Sequence, residues 1–322
     1  MSGWPCFPSR RNSLVWRLTM VDLSSDLGFL RLKNPVIAAS GTFGYGLEFQ
    51  PLYDLNLLGG LVIKGLYFKP REGNPPPRLA ETPCGLINSI GLQGIGVEAF
   101  CQDVLPKLSL LQTAIIANVC GEEEEEYARV AEYLSRHQGL SALELNISCP
   151  NVRAGGKCPA QDPEATYRTV KRVKQVSPLP LITKLSPNVT DITSVALAAE
   201  EAGSEAVSLV NTFLALAIDL ESRKPKLGNV LGGLSGPAIK PLALRMVFEV
   251  ARQVKIPVIG LGGIFSSHDA LEFMVAGASA VEVGTANFVN PLACPEIIKG
   301  LEDWAESHGL NRLSEIVGSL KV

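Results

Sequence analysis

Short apolar runs recur along the chain, separated by stretches whose polar and apolar positions follow a helical period. The runs Asn34 to Ala39, Gly60 to Lys64, Ala114 to Val119, Ala142 to Ile147, Leu179 to Leu185, Ala206 to Asn211, Pro257 to Leu261 and Ala280 to Val283 have the length and branched character of buried strands. Between them, Glu122 to His137 opens on five glutamates, which suit the positive end of a helix dipole. It then places Tyr127, Val130, Ala131 and Leu134 at i, i+3, i+4 and i+7. That acidic run reads as a solvated helix start rather than a metal site. Asp162 to Gln175, Asp191 to Ala202, Pro237 to Gln253, Ser266 to Ala276 and Pro291 to His308 read as helices too, with Gly203 and Gly277 as stops. Eight strands alternating with helices predict an α/β fold, a (β/α)8 TIM barrel.

Two connections are too long for plain barrel turns. Gly65 to Gly96 carries Pro70, Pro75, Pro76 and Pro77, and Thr212 to Ser235 carries the polar run Asp219 to Pro225. Long ordered loops in compact domains are usually functional, so these are expected over the C-terminal face as lids or partner surfaces. At 322 residues the chain fits one barrel domain, 23–322. Residues 1–22, with Arg10, Arg11 and Arg17 ahead of Met20 and no acidic residue before Val21, read as an extension expected to be disordered; organelle targeting is the alternative.

Composition narrows the field. With 46% hydrophobic and 19% charged residues the chain can bury a large core, and a net charge of -3 argues against a nucleic-acid partner. It has no apolar run of about 18 residues, so no membrane span is predicted. Its seven cysteines form no C-x-x-C pair, so neither zinc nor an iron-sulfur cluster is legible in this chain, and an odd number of them suits the reducing cytoplasm.

The polar residues collect at strand ends, where α/β folds carry their chemistry. Ser40 follows the first strand, Lys64 and Gly65 close the second, and Asn118 lies in the third. Asn146 ends the fourth, Lys184 lies in the fifth, and Asn211 and Thr212 end the sixth. Gly262-Gly263 and Gly284-Thr285 follow the last two. A lysine in an apolar strand is costly unless paired, so Lys64 and Lys184 suggest an anionic or electron-rich ligand, unless they snorkel to solvent. Glycines after the last two strands suit the usual barrel phosphate site. Asn88, Asn146, Asn151 and Asn211 each suit a turn, yet together they suit a planar heterocycle with mixed donors and acceptors. The loop after the fourth strand adds Cys149, a thiol that alone would be read as structural.

The segment Asn146-Ile-Ser-Cys-Pro-Asn151, with Lys184 to Asp191, Val210-Asn-Thr212 and Leu234 to Lys240, resembles class 1 dihydroorotate dehydrogenases, the NAD-linked class 1B catalytic subunit above all. The likeness runs from about Leu23 to the C-terminus. It implies FMN held by Ser40, Lys64, Gly65, Asn118, Asn146, Lys184, Val210, Gly236, Gly262, Gly263, Gly284 and Thr285. It also implies dihydroorotate contacted by Lys64, Asn88, Ser89, Ile90, Gly91, Leu92, Asn146, Asn211 and Thr212, with Cys149 as catalytic base. Electrons would pass to NAD through a partner subunit carrying FAD and a [2Fe-2S] cluster, around a homodimeric core of a heterotetramer. The alternatives are a fumarate-using class 1A enzyme, a barrel like the pyrimidine-reducing part of dihydropyrimidine dehydrogenase, and a non-catalytic electron-transfer flavoprotein.

Overall fold

A computed structural model of the protein describes residues 21–148 and 159–322. Expectations for residues 1–20 and for Cys149 and Asn151 fall outside these ranges. Eight parallel strands close a barrel in sequence order: β1 Val36–Ala38, β2 Gly60–Val62, β3 Ala114–Val119, β4 Ala142–Asn146, β5 Leu181–Lys184, β6 Ala206–Leu209, β7 Val258–Leu261 and β8 Ala280–Val283. The outer helices are α1 Glu124–Ser135, α2 Pro163–Val176, α3 Ile192–Glu201, α4 Lys240–Ala251, α5 Ser267–Ala276 and α6 Ala293–Ser307. All lie inside the spans predicted from the periodicity, apart from one residue at the end of α2. The predicted TIM barrel is the observed fold.

Local chemistry explains where helices begin and end. Asp162 and Asp191 accept from the backbone N–H two residues on, Pro163 opens α2, and Ser266 with Asp269 forms a reciprocal capping box on α5. Tyr127, Val130, Ala131 and Leu134 on α1 are all buried, as their spacing predicts. Their face packs into the main core between helices and barrel.

The interior of the barrel is layered. Side chains two apart along a strand face the same way, so each strand sends every second residue inward. Ile37, Val62, Ile116, Ala142, Ile182, Ala206, Ile259 and Ala280, one from each strand, form a single apolar cluster. Leu27 and Leu32, from the antiparallel pair Ser25–Asp26 and Arg31–Leu32, join that cluster. Two residues onward on each strand stand Ala39, Lys64, Asn118, Glu144, Lys184, Ser208, Leu261 and Glu282. Six of these eight are polar, and they form the floor of the barrel mouth.

The two long connections are not plain loops. Leu79–Thr82 and Gly85–Asn88 form a hairpin after β2, and Phe213–Leu216 pairs with Leu231–Ser235 after β6. Gly233↔Asn88, Leu234↔Ile87 and Ser235↔Leu86 join the hairpins into one four-stranded antiparallel sheet. Ala80, Ile87 and Leu227 form its small buried cluster. A strand whose partner lies far away in sequence leaves little local signal, which is why these segments read as loops. Between β2 and β3 the chain also forms a helical stretch, Gly96–Ala99, Phe100–Val104 with wider π-type turns, and Leu105–Leu108.

Candidate active site

Hydrogen bonds link the polar floor from strand to strand. The Asn118 Nδ2 group donates to Glu144 Oε1 at 2.6 Å, and Ser208 Oγ donates to Glu144 Oε2 at 2.9 Å. The Lys184 ammonium donates to Glu144 Oε1 at 3.1 Å and to Glu282 Oε2 at 3.0 Å. These are among the most deeply buried charges of the molecule, with Glu144 0% and Glu282 1% exposed. Burying an ion is costly unless it is paired, and this lysine has two partners. The two carboxyls hold its pKa well above that of an ordinary lysine, against the opposing effect of burial.

Above the floor the network continues into the mouth. Ser148 Oγ donates to Asn146 Oδ1 at 2.8 Å, and Asn211 Nδ2 donates to Ser148 Oγ at 2.5 Å and Asn146 Oδ1 at 3.4 Å. Asn211 Oδ1 accepts from the Thr212 N–H at 2.8 Å, and the Tyr127 hydroxyl donates to the Asn146 carbonyl at 3.0 Å. Three asparagines predicted separately, Asn118, Asn146 and Asn211, thus belong to one chain of amides. Ser40 Oγ donates to the Ile63 carbonyl at 2.9 Å, tying the ends of β1 and β2.

Lys64 differs from Lys184. It is half-buried, and among the described residues its ammonium has no hydrogen bond or ion pair. Burial lowers its pKa, Glu48 raises it and Arg78 lowers it, with a net shift downward. An ammonium stripped of part of its water and left without a carboxylate is suited to an anion brought in from outside.

The loops after β7 and β8 are both built on glycine, the first packed closely against its neighbours and the second open. Gly262 and Gly263 have φ of 127° and 78°, in the region that favours glycine, and a Cβ at Gly263 would meet the Gly236 carbonyl and the Lys240 backbone N, at 2.8 and 2.9 Å. At Gly284 a Cβ would meet nothing nearer than 3.7 Å, so this stretch of backbone is open. Among the described residues the N–H groups of Gly263, Gly284 and Thr285 have no acceptor. Free N–H groups on these two loops fit a phosphate. Thr285 Oγ1 donates to Ser235 Oγ at 2.8 Å, so the antiparallel sheet closes over this side of the mouth.

Comparison with known proteins identifies the family of the chain. A family model described as dihydroorotate dehydrogenase matches residues 22–304. The chain belongs to the dihydroorotate dehydrogenase family. It is 53% identical over 299 residues to a protein of Thermodesulfovibrio yellowstonii named dihydroorotate dehydrogenase B (NAD(+)), catalytic subunit, covering 93% of this chain and 99% of the relative. A protein of Pelobacter propionicus with the same name is 52% identical over 300 residues, covering 93% and 99%. The fold matches the crystal structure of an Eimeria tenella DHODH in complex with ferulenol, with a TM-score of 0.77 over 94% of this chain and 90% of that one, at 20% identity.

Within this family member, the described residues singled out by sequence fall at the barrel mouth, on the sheet beside it or on the loops that follow these strands. Asn88, on the inner hairpin, donates from Nδ2 to the Gly233 carbonyl at 3.2 Å, and Ser89 Oγ accepts from Asn74 Nδ2 at 2.9 Å. Ile90 and Gly91 follow, and Leu92 takes a left-handed φ of 54°, unusual for a branched residue. Gly65 lies against Cys120 Sγ and the Asn118 amide, where any side chain would clash. Val210 is buried after β6, and Gly236 follows the Leu231–Ser235 strand. Asn118 is fully buried, its amide committed to Glu144, Asn146 and Cys120. Cys149 lies outside the described residues.

Sequence reasoning missed Glu144, Glu282, Ser148, Ser208 and Tyr127. The two glutamates carried a signal: a carboxylate in Ala142-Leu-Glu-Leu-Asn146 and another in Ala280-Val-Glu-Val283 violate the apolar pattern as plainly as the two lysines do.

Proposed function

We propose that this chain oxidises dihydroorotate to orotate in pyrimidine biosynthesis, as the FMN-holding catalytic subunit of a NAD-linked, B-type dihydroorotate dehydrogenase. The observation that carries the reading is the identity of over half across nearly the whole of B-type catalytic subunits, in a chain whose mouth supports the ligand such a reaction needs. Forming a C–C double bond beside a carbonyl removes a proton from one carbon and a hydride from its neighbour. FMN, when bound, supplies the hydride acceptor.

The residues present fit that cofactor. Unused N–H groups at Gly263, Gly284 and Thr285 suit its phosphate, and Lys184, with two of its three N–H donors engaged, keeps one for an acceptor in the mouth. Lys64 would attract the substrate carboxylate and stabilise negative charge as the carbon acid ionises. Asn88, Asn146, Asn211 and Thr212 would orient the ring, with Ser89 to Leu92 shaping its edge. Cys149 would take the proton from the carbon next to the carbonyl. A thiol has an ordinary pKa of about 8.5 and is partly ionised near neutrality, and nearby cations favour the thiolate. The remaining FMN contacts would come from Ser40, Gly65, Asn118, Val210, Gly236 and Gly262.

A partner belongs to this reading, since the relatives are named as catalytic subunits. We assign to it the FAD and [2Fe-2S] cluster that would carry electrons to NAD, around a homodimer of this chain in the cytoplasm. Among the described residues no helix is long and apolar enough to cross a membrane.

The deciding experiment is a visible spectrum of the purified chain, before and after anaerobic dihydroorotate. A yellow protein that bleaches is expected, and Cys149→Ser should slow the bleaching. A protein that cannot be reconstituted with FMN, or bound flavin indifferent to dihydroorotate, overturns the assignment. Adding fumarate or NAD, with and without the partner, then separates the B type from a fumarate-using enzyme.

A further inference from the structure

Glu144 and Glu282 share one lysine. Glu144 accepts from three donors, Asn118 Nδ2, Lys184 Nζ and Ser208 Oγ, at 2.6, 3.1 and 2.9 Å. Glu282 accepts only from Lys184, through Oε2 at 3.0 Å, and its buried Oε1 has no hydrogen-bond donor. The two carboxyls also lie within hydrogen-bonding reach of each other. Ionised, they would put two negative charges against one positive charge in a site closed to water. A single proton between them removes the imbalance and turns a repulsive contact into a hydrogen bond.

The surroundings decide which carboxyl carries it. Donors stabilise a carboxylate, and Glu144 has three where Glu282 has one. The titratable groups facing Glu282 are Glu144 from β4 and Lys184 from β5. Its register partners on β1 and β7 are the apolar Ile37 and Leu261.

We propose that Glu282 is a positioning residue that holds a proton in the folded protein and donates it to the Glu144 carboxylate, so that Lys184 is clamped between one carboxylate and one neutral carboxyl. The triad then has no net charge beneath the barrel mouth, and Lys184 keeps its remaining N–H for a ligand. Burial and the charge of Glu144 both push the Glu282 carboxyl well above the ordinary range, while Lys184 pulls it down. If Glu282 were ionised, the site would carry a net negative charge and would disfavour an electron-rich ring above it. That consequence rests on the flavin reading; the position of the proton does not.

The test is Glu282→Gln in the full chain, with and without added FMN. Glutamine keeps the shape, an acceptor for Lys184 and an N–H donor for Glu144, and it cannot ionise. In the unfolded chain a glutamate ionises near pH 4.3, so above about that pH the wild-type fold holds one proton that the unfolded chain does not. A carboxyl raised in the fold contributes stability that is intact below the unfolded value and lost as pH rises towards the folded one. Wild type should therefore lose about tenfold in its folding equilibrium per pH unit relative to the variant, across about pH 5 to 7. Melting-temperature differences between the two proteins should widen steadily in the variant's favour. A difference that stays constant with pH overturns the proposal.

A second readout keeps the test independent of unfolding behaviour. At neutral pH the wild type should show the infrared carbonyl band of a protonated carboxyl, absent from Glu282→Gln. A wild type lacking that band also overturns it. In FMN-loaded protein the variant should keep the wild-type flavin midpoint potential; an upward shift would mean that a negative charge had been removed, against the proposal. If FMN does not bind at all, the flavin reading fails while the first two measurements still decide where the proton lies.

Discussion

Two rings of side chains, two residues apart along the same eight strands, behave as different materials. The deeper ring, from Ile37 round to Ala280, is wholly apolar and closed from below by Leu27 and Leu32. The ring above it contains Asn118, Glu144, Lys184, Ser208 and Glu282, joined by ion pairs and hydrogen bonds, with Lys64 standing outside that network. The deep ring gains from area removed from water and tolerates small changes in shape. The upper ring gains little net free energy from its charges, because desolvation offsets their attraction, and it is intolerant of losing one member. Stability and chemistry are thus separated by a single strand pleat.

The sharpest way to break this contrast is Glu144→Ala. It strands Lys184 with Glu282 alone and leaves Asn118 Nδ2 and Ser208 Oγ without their acceptor. Removing one partner of a buried ion pair costs about 3–5 kcal/mol, which urea denaturation would show as a lower midpoint. A loss below about 1 kcal/mol would mean that the floor is not one electrostatic unit.

A smaller effect is expected at Lys64. Its depressed pKa, set first by burial, means that its charge is present at neutral pH and disappears as pH rises through a value below the ordinary 10.4 or so. Dihydroorotate affinity should therefore weaken on the alkaline side earlier than an ordinary lysine would allow. Lys64→Ala should weaken binding by about 1.5–3 kcal/mol at neutral pH and flatten that alkaline limb. Titrating the bleaching of bound flavin with substrate across pH checks both; an unchanged limb in the variant would assign the titration to another group.

What could be read beforehand follows from the range of each signal. Barrel strands announce themselves locally because each is a short apolar run flanked by helix periods, so Ala114–Val119 and Ala280–Val283 were legible to the residue. Lys64 and Lys184 stood out because a charge in such a run breaks its pattern. Glu144 and Glu282 broke it equally, yet their meaning depended on Lys184, which lies 40 and 98 residues away from them. The antiparallel sheet was illegible for the same reason: Asn88 meets Gly233 only after the barrel has brought the loops after β2 and β6 together. Cys149 drew its meaning from its neighbours in the Asn146 to Asn151 motif rather than from its own residue type.

The mildest change tests whether the two rings are separable. Ile182, fully buried in the deep ring, sits two residues before Lys184 on β5 and faces the same interior. Ile182→Val removes one methylene in a close-packed layer, and neighbours relax only partly into the space, so the expected cost is about 0.5–1.5 kcal/mol. The denaturation midpoint should fall with an unchanged slope, while FMN and dihydroorotate affinities stay those of the parent. Lys184 is held by side chains from β4 and β8, not by the packing below it, so a small gap in the deep ring has no route to the ammonium. A change in ligand affinity would show that strain crosses the pleat, and that the apolar ring sets the geometry of the polar one as well as its stability.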